Sequence, residues 1–405
     1  MSETSELIAT AQENQLPIYR QRALILDHGK GSRVWDLEGK EYIDFAAGIA
    51  VNALGHGDAE ILAVLHAQAG KLWHTSNVYF SEPPIRLAEE LVAASGFARH
   101  VFLCNSGTEA NEAAIKLVRK HAADQGRGPD RRVILSFAGS FHGRTLAAVT
   151  ATAQPKYQQG YEPLPGGFRY SAFNDIAALD QVLTDDVAGV LVEPIQGEGG
   201  VVPATDGFLQ ALRERCDALG ALLVFDEIQS GMGRSGKLWA HQWSGMQPDV
   251  MTLAKALGCG FPIGAMLVGP KAAEAMQFGS HGTTFGGNPL AAAVARVALR
   301  RLASPLIASN VEQRSQQLRE GLQAIGSELG VFAQIRGRGL MLGALLAPAW
   351  AQRGGEILDA AAREGLLLLQ AGPDVLRFVP ALNIESADVA AGLQKLRSAL
   401  ALLSG

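Results

Sequence analysis

The chain has 405 residues, 48% hydrophobic and 19% charged, a length that at roughly 150 residues per domain predicts two or three domains with a large buried core. Its 35 Lys+Arg against 40 Asp+Glu give a formal charge of −5 without long like-charge blocks, which excludes the electrostatic footprint of a nucleic-acid or anionic-membrane binder. Cysteine occurs only at Cys104, Cys216 and Cys259, scattered and without CxxC spacing, which excludes a disulfide framework and a thiolate metal cage and fits a reducing compartment.

In chain order, the start MSETSELIATAQENQLPIY carries acidic residues early and no apolar signal core. No apolar, charge-free stretch reaches the roughly 18 residues of a membrane span, so a soluble, cytoplasmic protein is expected. The first 55 or so residues, with the strand-like SRVWDLEGKEYIDF, are too short to stand alone and are expected to pack on the C-terminal unit. Short apolar runs then alternate with helical patterns: VFLC at 101–104, RVILSF at 132–137, VAGVLVEP at 187–194, ALLVFDE at 221–227, VMTLA at 250–254 and AMLVG at 265–269. That alternation predicts an α/β fold with a mostly parallel sheet and crossover helices.

Ser106 and Glu109 form a capping box before Ala110, Ala113, Ala114, Leu117 and Val118, so a helix starts directly after the first strand, its positive end at the strand's C-terminal edge. The polar DQGRGPDRR at 124–132 is expected to be a surface loop. A second helix is expected from Asp206, through Phe208, Leu209, Leu212, Cys216 and Leu219, to the stop Gly220, which puts Cys216 in the core. Past about residue 305 the pattern changes to a long helix at 310–329, RGRGLMLGALL, a helix, LLLLQ, VLRFVPALNI and a terminal helix from Ser386, a smaller α+β unit. The expected division is an N-terminal segment at 1–55 packing with the small domain, a large domain at 56–304 and the small domain at 305–405.

The chemistry concentrates in LLVFDEIQSGMGRSG, where an apolar strand ends in Asp226 and Glu227. Alone, such a pair serves as a salt bridge or a turn cap. Gly231, Gly233 and Gly236 form a GxGxxG, the pattern of a dinucleotide site, and so raise a nicotinamide-dependent oxidoreductase as a competing reading. The next segment, KLWAHQWSGMQPD, is not a clean amphipathic helix, and no acid ends a second strand about 20 residues on. Lys255 closes the VMTLA run and opens the glycine-rich ALGCGFPIGA; alone, it would be a snorkelling surface lysine. On adjacent strands of a parallel sheet, however, Asp226 and Lys255 converge at the C-terminal edge, where such sheets bind ligands. An amine to bond an aldehyde and an acid beneath a pyridine nitrogen are what pyridoxal phosphate requires.

SGTEANEAAIKL, FHGRT, EPIQGEGG, LLVFDEIQSGMGR, AKALGCGFPIGA and HGTTFGGNPL stand in the order and spacing of the class III (ornithine-type) aminotransferases, and the chain resembles that family over nearly its whole length. The resemblance implies fold type I of the pyridoxal-phosphate-dependent transferases, with a large cofactor-binding domain and a smaller α+β domain. It implies that Ser106, Gly107 and Thr108 hold the cofactor phosphate at a helix start, consistent with the dipole there. Phe141 would stack on the pyridine ring with His142 beside it, Asp226 would keep the ring nitrogen protonated, Gln229 would bond the phenolic oxygen, and Lys255 would carry the cofactor and shuttle the proton. In the family, Thr284 reaches the partner's phosphate and Thr283 its substrate, which implies a homodimer.

For substrates, the resemblance assigns the α-carboxylate of the long donor to Arg144 and that of glutamate to Arg377, the fork geometry suited to carboxylates. Glu198 resembles the family's gate, pairing with Arg377 while a terminal-amine donor is bound and leaving when glutamate enters; Glu193 supports the site. Donor choice rests on the segment around Asn77, Val78 and Tyr79. The implied reaction is N-acetyl-L-ornithine plus 2-oxoglutarate to N-acetyl-L-glutamate 5-semialdehyde plus L-glutamate, a step of arginine biosynthesis, with succinylornithine, ornithine and 4-aminobutyrate as competing donors. A non-catalytic dimer is the other competing class, and the joint presence of Lys255, Asp226, Gln229, Arg144, Arg377 and Glu198 argues against it. Two departures stand out: Gly258, Cys259 and Gly260 where close relatives have three glycines, and GHGDAE at 55–60 in place of a His-Pro. Cys259, near Lys255, predicts sensitivity to thiol reagents.

Overall fold

The computed structural model describes residues 3–404; residues 1, 2 and 405, the outermost ends of the expected N-terminal segment and small domain, lie outside the described residues. Seven strands build the central sheet in the order His100–Cys104, Gly264–Val268, Val250–Leu253, Leu222–Asp226, Val187–Val192, Val133–Phe137, Phe168–Ser171. Pairing is parallel from Val250–Leu253 to Phe168–Ser171, whereas Gly264–Val268 runs antiparallel to both its neighbours. All the apolar runs expected as strands lie in this sheet. Phe168–Ser171 is an addition to them: as an edge strand it has one neighbour, and its FRYS sequence carries no apolar run.

Helices cover both faces of the sheet, and the period of two along a strand decides which side chains meet which helix. Leu222 and Val224 enter a core cluster with Ala113, Ala114, Leu117 and Val118 of the Gly107–Asp124 helix. Leu223 and Phe225 enter the opposite cluster with Phe208, Leu209, Leu212 and Cys216 of the Asp206–Leu219 helix. Asp226 therefore turns toward the first helix and Glu227 away from it. Glu227 is used structurally: its carboxylate accepts from the amides of Ala240 and His241 and pairs with His241 Nδ1 at 2.8 Å.

The helix boundaries follow their caps. Ser106 Oγ accepts from the Glu109 amide at 3.3 Å, but the Glu109 carboxylate reaches back to the Asn105 amide at 2.7 Å, one residue before the cap, so the box is offset. Gly220 stops its helix with φ of 64°, the left-handed value that a side chain would strain. The helix expected at 310–329 runs from Pro305 to Leu329, because the Ser304 side chain caps the Ile307 amide and Pro305 occupies the first helical position.

A four-stranded sheet of Phe332–Arg338, Met341–Leu346, Val375–Phe378 and Leu369–Gln370 carries Arg377. A second combines Leu26–Lys30, Arg33–Asp36 and Glu41–Asp44 with Leu366–Leu367, which pairs parallel to Glu41–Asp44. LLLLQ thus splits between two sheets, and the N-terminal strands pair with residues from the far end of the chain. Ile43 and Phe45 share a core with Phe378, Leu382, Val389 and Leu396. Among the described residues no helix is long and apolar enough to cross a membrane.

Candidate active site

The strands carrying Asp226, Glu193 and Lys255 deliver these residues to one cavity of about 420 Å³ at the C-terminal edge of the central sheet. Ser106, Gly107, Thr108, Phe141, His142, Arg144, Glu198 and Gln229 also line it. The chain thereby brings together most of the residues singled out from sequence, contributed by segments more than a hundred residues apart.

Asp226 is 4% exposed and held by three contacts. Its Oδ2 accepts from Asn111 Nδ2 at 2.7 Å and pairs with His142 Nδ1 at 2.8 Å, while Oδ1 accepts from the Ile228 amide at 3.1 Å. A buried carboxylate needs hydrogen-bond donors around it, and Asn111 and the Ile228 amide supply them here. Glu193 joins the Phe141 loop to the Glu198 loop, accepting from the amides of Phe141 at 2.9 Å and Gly197 at 3.1 Å. Burial pushes its carboxyl up to about 7.

Lys255 follows the Val250–Leu253 strand with φ of 43°, a left-handed conformation that costs a lysine on the order of 1–3 kcal/mol and aims its side chain into the cavity. Its amine has no hydrogen-bond or ion-pair partner among the described residues. Burial, ahead of the nearby charge of Arg377, pushes it down to about 8. A larger fraction is therefore neutral and nucleophilic at neutral pH than for an ordinary lysine.

Arg377, 2% exposed, does not itself line the cavity but holds two residues that do, donating from Nη1 to Glu198 Oε1 at 2.5 Å and to Gln229 Oε1 at 3.2 Å. A guanidinium only donates, so Gln229 must face it with its carbonyl oxygen, which leaves the Gln229 amide nitrogen free as a donor. Arg377 Nε is buried without a partner among the described residues. Arg144 lies exposed at the rim, its guanidinium 4.0 Å from the Tyr157 ring centroid and 5.4 Å from that of Phe141. Both contacts are cation–π in type.

Asn77, Tyr79, Thr283 and Thr284 do not line this cavity. Asn77 Nδ2 donates to the Thr283 and Gly286 carbonyls, both at 3.0 Å, and Thr283 Oγ1 accepts from Asn105 at 3.3 Å, which fixes these segments to each other. Thr284 and its chain neighbour Phe285 are exposed, as are Val78, Tyr79 and Phe80, which follow Asn77 in the chain. Gly231, Gly233 and Gly236 also lie outside the cavity, in turns followed only by the short 3-10 helix Ala240–Trp243 and not by an α-helix, so the dinucleotide reading lacks its geometry. Cys259, expected to be sensitive to thiol reagents, is mostly buried, its thiol donates to the Ala256 carbonyl, and burial pushes its pKa up to about 12.

Sequence reasoning misses three contributors: Asn111, Thr252 and Tyr157. Asn111 carries a readable signal, since it sits one turn into the capped helix on the face with Ala114 and Val118, where a polar residue breaks the apolar stripe.

The sequence profile of the family Aminotransferase class-III matches residues 17–400. The chain is 69% identical over 387 residues to the acetylornithine aminotransferase of Xanthomonas campestris pv. campestris, covering 95% of each chain. It is 52% identical to the succinylornithine transaminase of Yersinia pseudotuberculosis, over 94% of this chain and 93% of that one. Among solved structures it is similar to the N-acetylornithine aminotransferase of Stenotrophomonas maltophilia, with a TM-score of 0.87 and 56% identity over 98% of this chain and 99% of that one. With a buried acid and a freed lysine at one sheet edge, and likeness of this extent along the whole sequence, the chain belongs to the class-III aminotransferases.

Proposed function

We propose that the chain moves the δ-amino group of N-acetyl-L-ornithine to 2-oxoglutarate, giving N-acetyl-L-glutamate 5-semialdehyde and L-glutamate, within arginine biosynthesis. The observation that carries this reading is the buried Arg377 paired with Glu198 and Gln229, both of which line the cavity with Asp226 and Lys255. A terminal-amine donor brings no carboxylate to the reacting end, and a buried guanidinium facing such a donor needs an anion from the protein. Glu198 supplies that anion, and when glutamate or 2-oxoglutarate binds, the substrate's own carboxylate takes its place. Arg144, at the rim, is positioned for the α-carboxylate of the longer donor. The names of the relatives support the acetylated donor in particular.

The enzymes of this family use pyridoxal 5′-phosphate, and the residues here fit it. Among the described residues the Lys255 amine has no hydrogen-bond partner and His142 Nε2 is buried without one, and the start of the 18-residue Gly107–Asp124 helix opens into the cavity. First-turn amides need no intrahelical acceptor, so Ser106, Gly107 and Thr108 would hold the phosphate. Phe141 would cover a ring face, Asp226 would face the ring nitrogen, and the free Gln229 amide nitrogen would face the phenolic oxygen. When bound, the cofactor supplies an aldehyde for the amino group and a protonated ring that stores the electron pair left by proton removal. Lys255 holds the mobile proton on Nζ and returns it to the substrate, its lowered pKa matching that task near neutral pH.

Two further assignments belong to this reading. The exposed Val78, Tyr79 and Phe80, with Phe285 next to Thr284, are the surface that a second copy would cover, with Thr283 and Thr284 serving the partner's site and Asn77 and Tyr79 bordering it. The domain division is 1–55, 56–304 and 305–405, supported by the pairing of Glu41–Asp44 with Leu366–Leu367, and the enzyme is assigned to the cytoplasm. Steady-state specificity constants for N-acetylornithine, succinylornithine, ornithine and 4-aminobutyrate, each with 2-oxoglutarate, test the donor. N-acetylornithine is expected to lead; a higher value for ornithine or 4-aminobutyrate would overturn the assignment.

A further inference from the structure

Asn111 is fully buried, and its side chain reaches three separate segments of the site. Its Nδ2 donates to Asp226 Oδ2 at 2.7 Å and to the His142 carbonyl at 2.8 Å, and its Oδ1 accepts from Thr252 Oγ1 at 2.8 Å. The orientation of the amide is forced by chemistry, because a peptide carbonyl only accepts and the atom facing the His142 oxygen must be the nitrogen. The same nitrogen then meets Asp226 with a hydrogen. Thr252 stands opposite Asp226 in the parallel register and three positions before Lys255, so the hydroxyl that holds the Asn111 oxygen belongs to the lysine's own strand.

We propose that Asn111 is a positioning residue that keeps the proton off Asp226 Oδ2 and leaves Oδ1 as the oxygen presented to the cofactor's ring nitrogen. A proton on Oδ2 would point at the amide hydrogen of Asn111, so that oxygen is held as an acceptor. With Oδ2 filled by Asn111 and His142, the open acceptor capacity of Asp226 is on Oδ1, which takes only the Ile228 amide. Parity along the Leu222–Asp226 strand brings Asp226 to the helix that bears Asn111, and the first turn of that helix carries Ser106, Gly107 and Thr108. One amide therefore fixes the acid relative to the phosphate end and to the lysine strand. This role rests on the proposed place of Asp226 beneath the ring nitrogen.

The test measures binding of pyridoxal 5′-phosphate, and of its analogue with the ring nitrogen replaced by C–H, to the full-length chain stripped of cofactor. Asn111→Asp is isosteric but sets a second carboxylate against Asp226, so the two must share a proton. Its affinity for the natural cofactor is expected to fall by about tenfold or more, with affinity for the analogue changed less than about threefold, since one pKa unit corresponds to a factor of ten. Asn111→Ala, which suits a helix and keeps the fold testable if the aspartate variant does not fold, is expected to lose several-fold in the same selective way. Equal losses for both ligands, or none, in the folded variants would overturn the proposal. Asp226→Asn separates the two levels: if it leaves the ratio of the two affinities unchanged, the reading of Asp226 itself fails, whereas a shift there without one in the Asn111 variants removes only the role of Asn111.

Discussion

The two buried charged groups of the site, Asp226 and Arg377, are held on opposite plans. Asp226 takes donors from Asn111, His142 and the Ile228 amide, and no hydrogen-bond partner of its carboxylate is exposed. Arg377 is as deeply buried, but its partner Glu198 is 23% exposed on a loop flanked by Gly197, Gly199 and Gly200, and Arg377 Nε has no partner among the described residues. A group used identically in both half-reactions can be fixed once by surrounding donors. A cation that must face a carboxylate in one half-reaction and none in the other needs a counter-charge that can leave, so a partly exposed glutamate on a glycine-flanked loop suits it.

Removing the fixed group is expected to have the largest effect. Asp226→Ala eliminates a buried charge, a change worth roughly 3–5 kcal/mol, so both half-reactions should slow by about 10²–10⁴-fold in single-turnover measurements. A loss confined to one half-reaction would break the comparison. The next effect concerns Lys255. With its pKa lowered to about 8, the neutral fraction at pH 7 is about 300-fold that of an ordinary lysine. Covalent capture of pyridoxal 5′-phosphate by the cofactor-free enzyme, followed by borohydride trapping, should accelerate as pH rises to about 8 and level off above it. A rate still climbing at pH 10 would contradict the lowered value.

Smaller changes sharpen the contrast. Glu198→Gln leaves Arg377 uncompensated when the terminal-amine donor is bound. Because Glu198 is partly solvated, the expected rise in KM for N-acetylornithine is only about tenfold, with the glutamate half-reaction unchanged. A loss on the glutamate side instead would mean that Glu198 does not act as a movable counter-charge. Cys259→Gly touches neither group. It relieves a residue with φ of 44°, a strain of roughly 1–2 kcal/mol, while deleting a buried thiol of similar worth. Urea unfolding should therefore show a net change within about 1 kcal/mol, with activity preserved; a tenfold loss of activity would place Cys259 within the machinery.

Much of this is readable from sequence because the large unit is locally encoded. Apolar runs bounded by turn residues mark six of the seven central strands, and Asp226 and Lys255 stand out as charges at the ends of such runs. The part that is not readable depends on distant pairing. Nothing local indicates that Leu366–Leu367 joins Glu41–Asp44 while Leu369–Gln370 joins Val375–Phe378, since all four leucines sit in one unbroken run. In the site, the resemblance to the family gives the residues proposed to hold cofactor and substrates but not Asn111 or Thr252, whose hydrogen bonds hold another residue. Asn77 and Tyr79 are expected from sequence to shape the donor pocket, yet within one chain they lie with Thr283 and Thr284 on the outer surface, a placement that only the Asn77–Thr283 contact reveals.

The division of labour between the two groups is tested most directly by one variant in two single-turnover reactions: Arg377→Ala with L-glutamate and with N-acetyl-L-ornithine. Two charge-assisted hydrogen bonds at roughly 1.5–3 kcal/mol each predict a loss of at least about a hundredfold with glutamate. The rate with N-acetylornithine should stay within about threefold of the unaltered enzyme. Equal losses in the two reactions would contradict the account, because Arg377 would then serve the chemistry common to both and not the carboxylate of one.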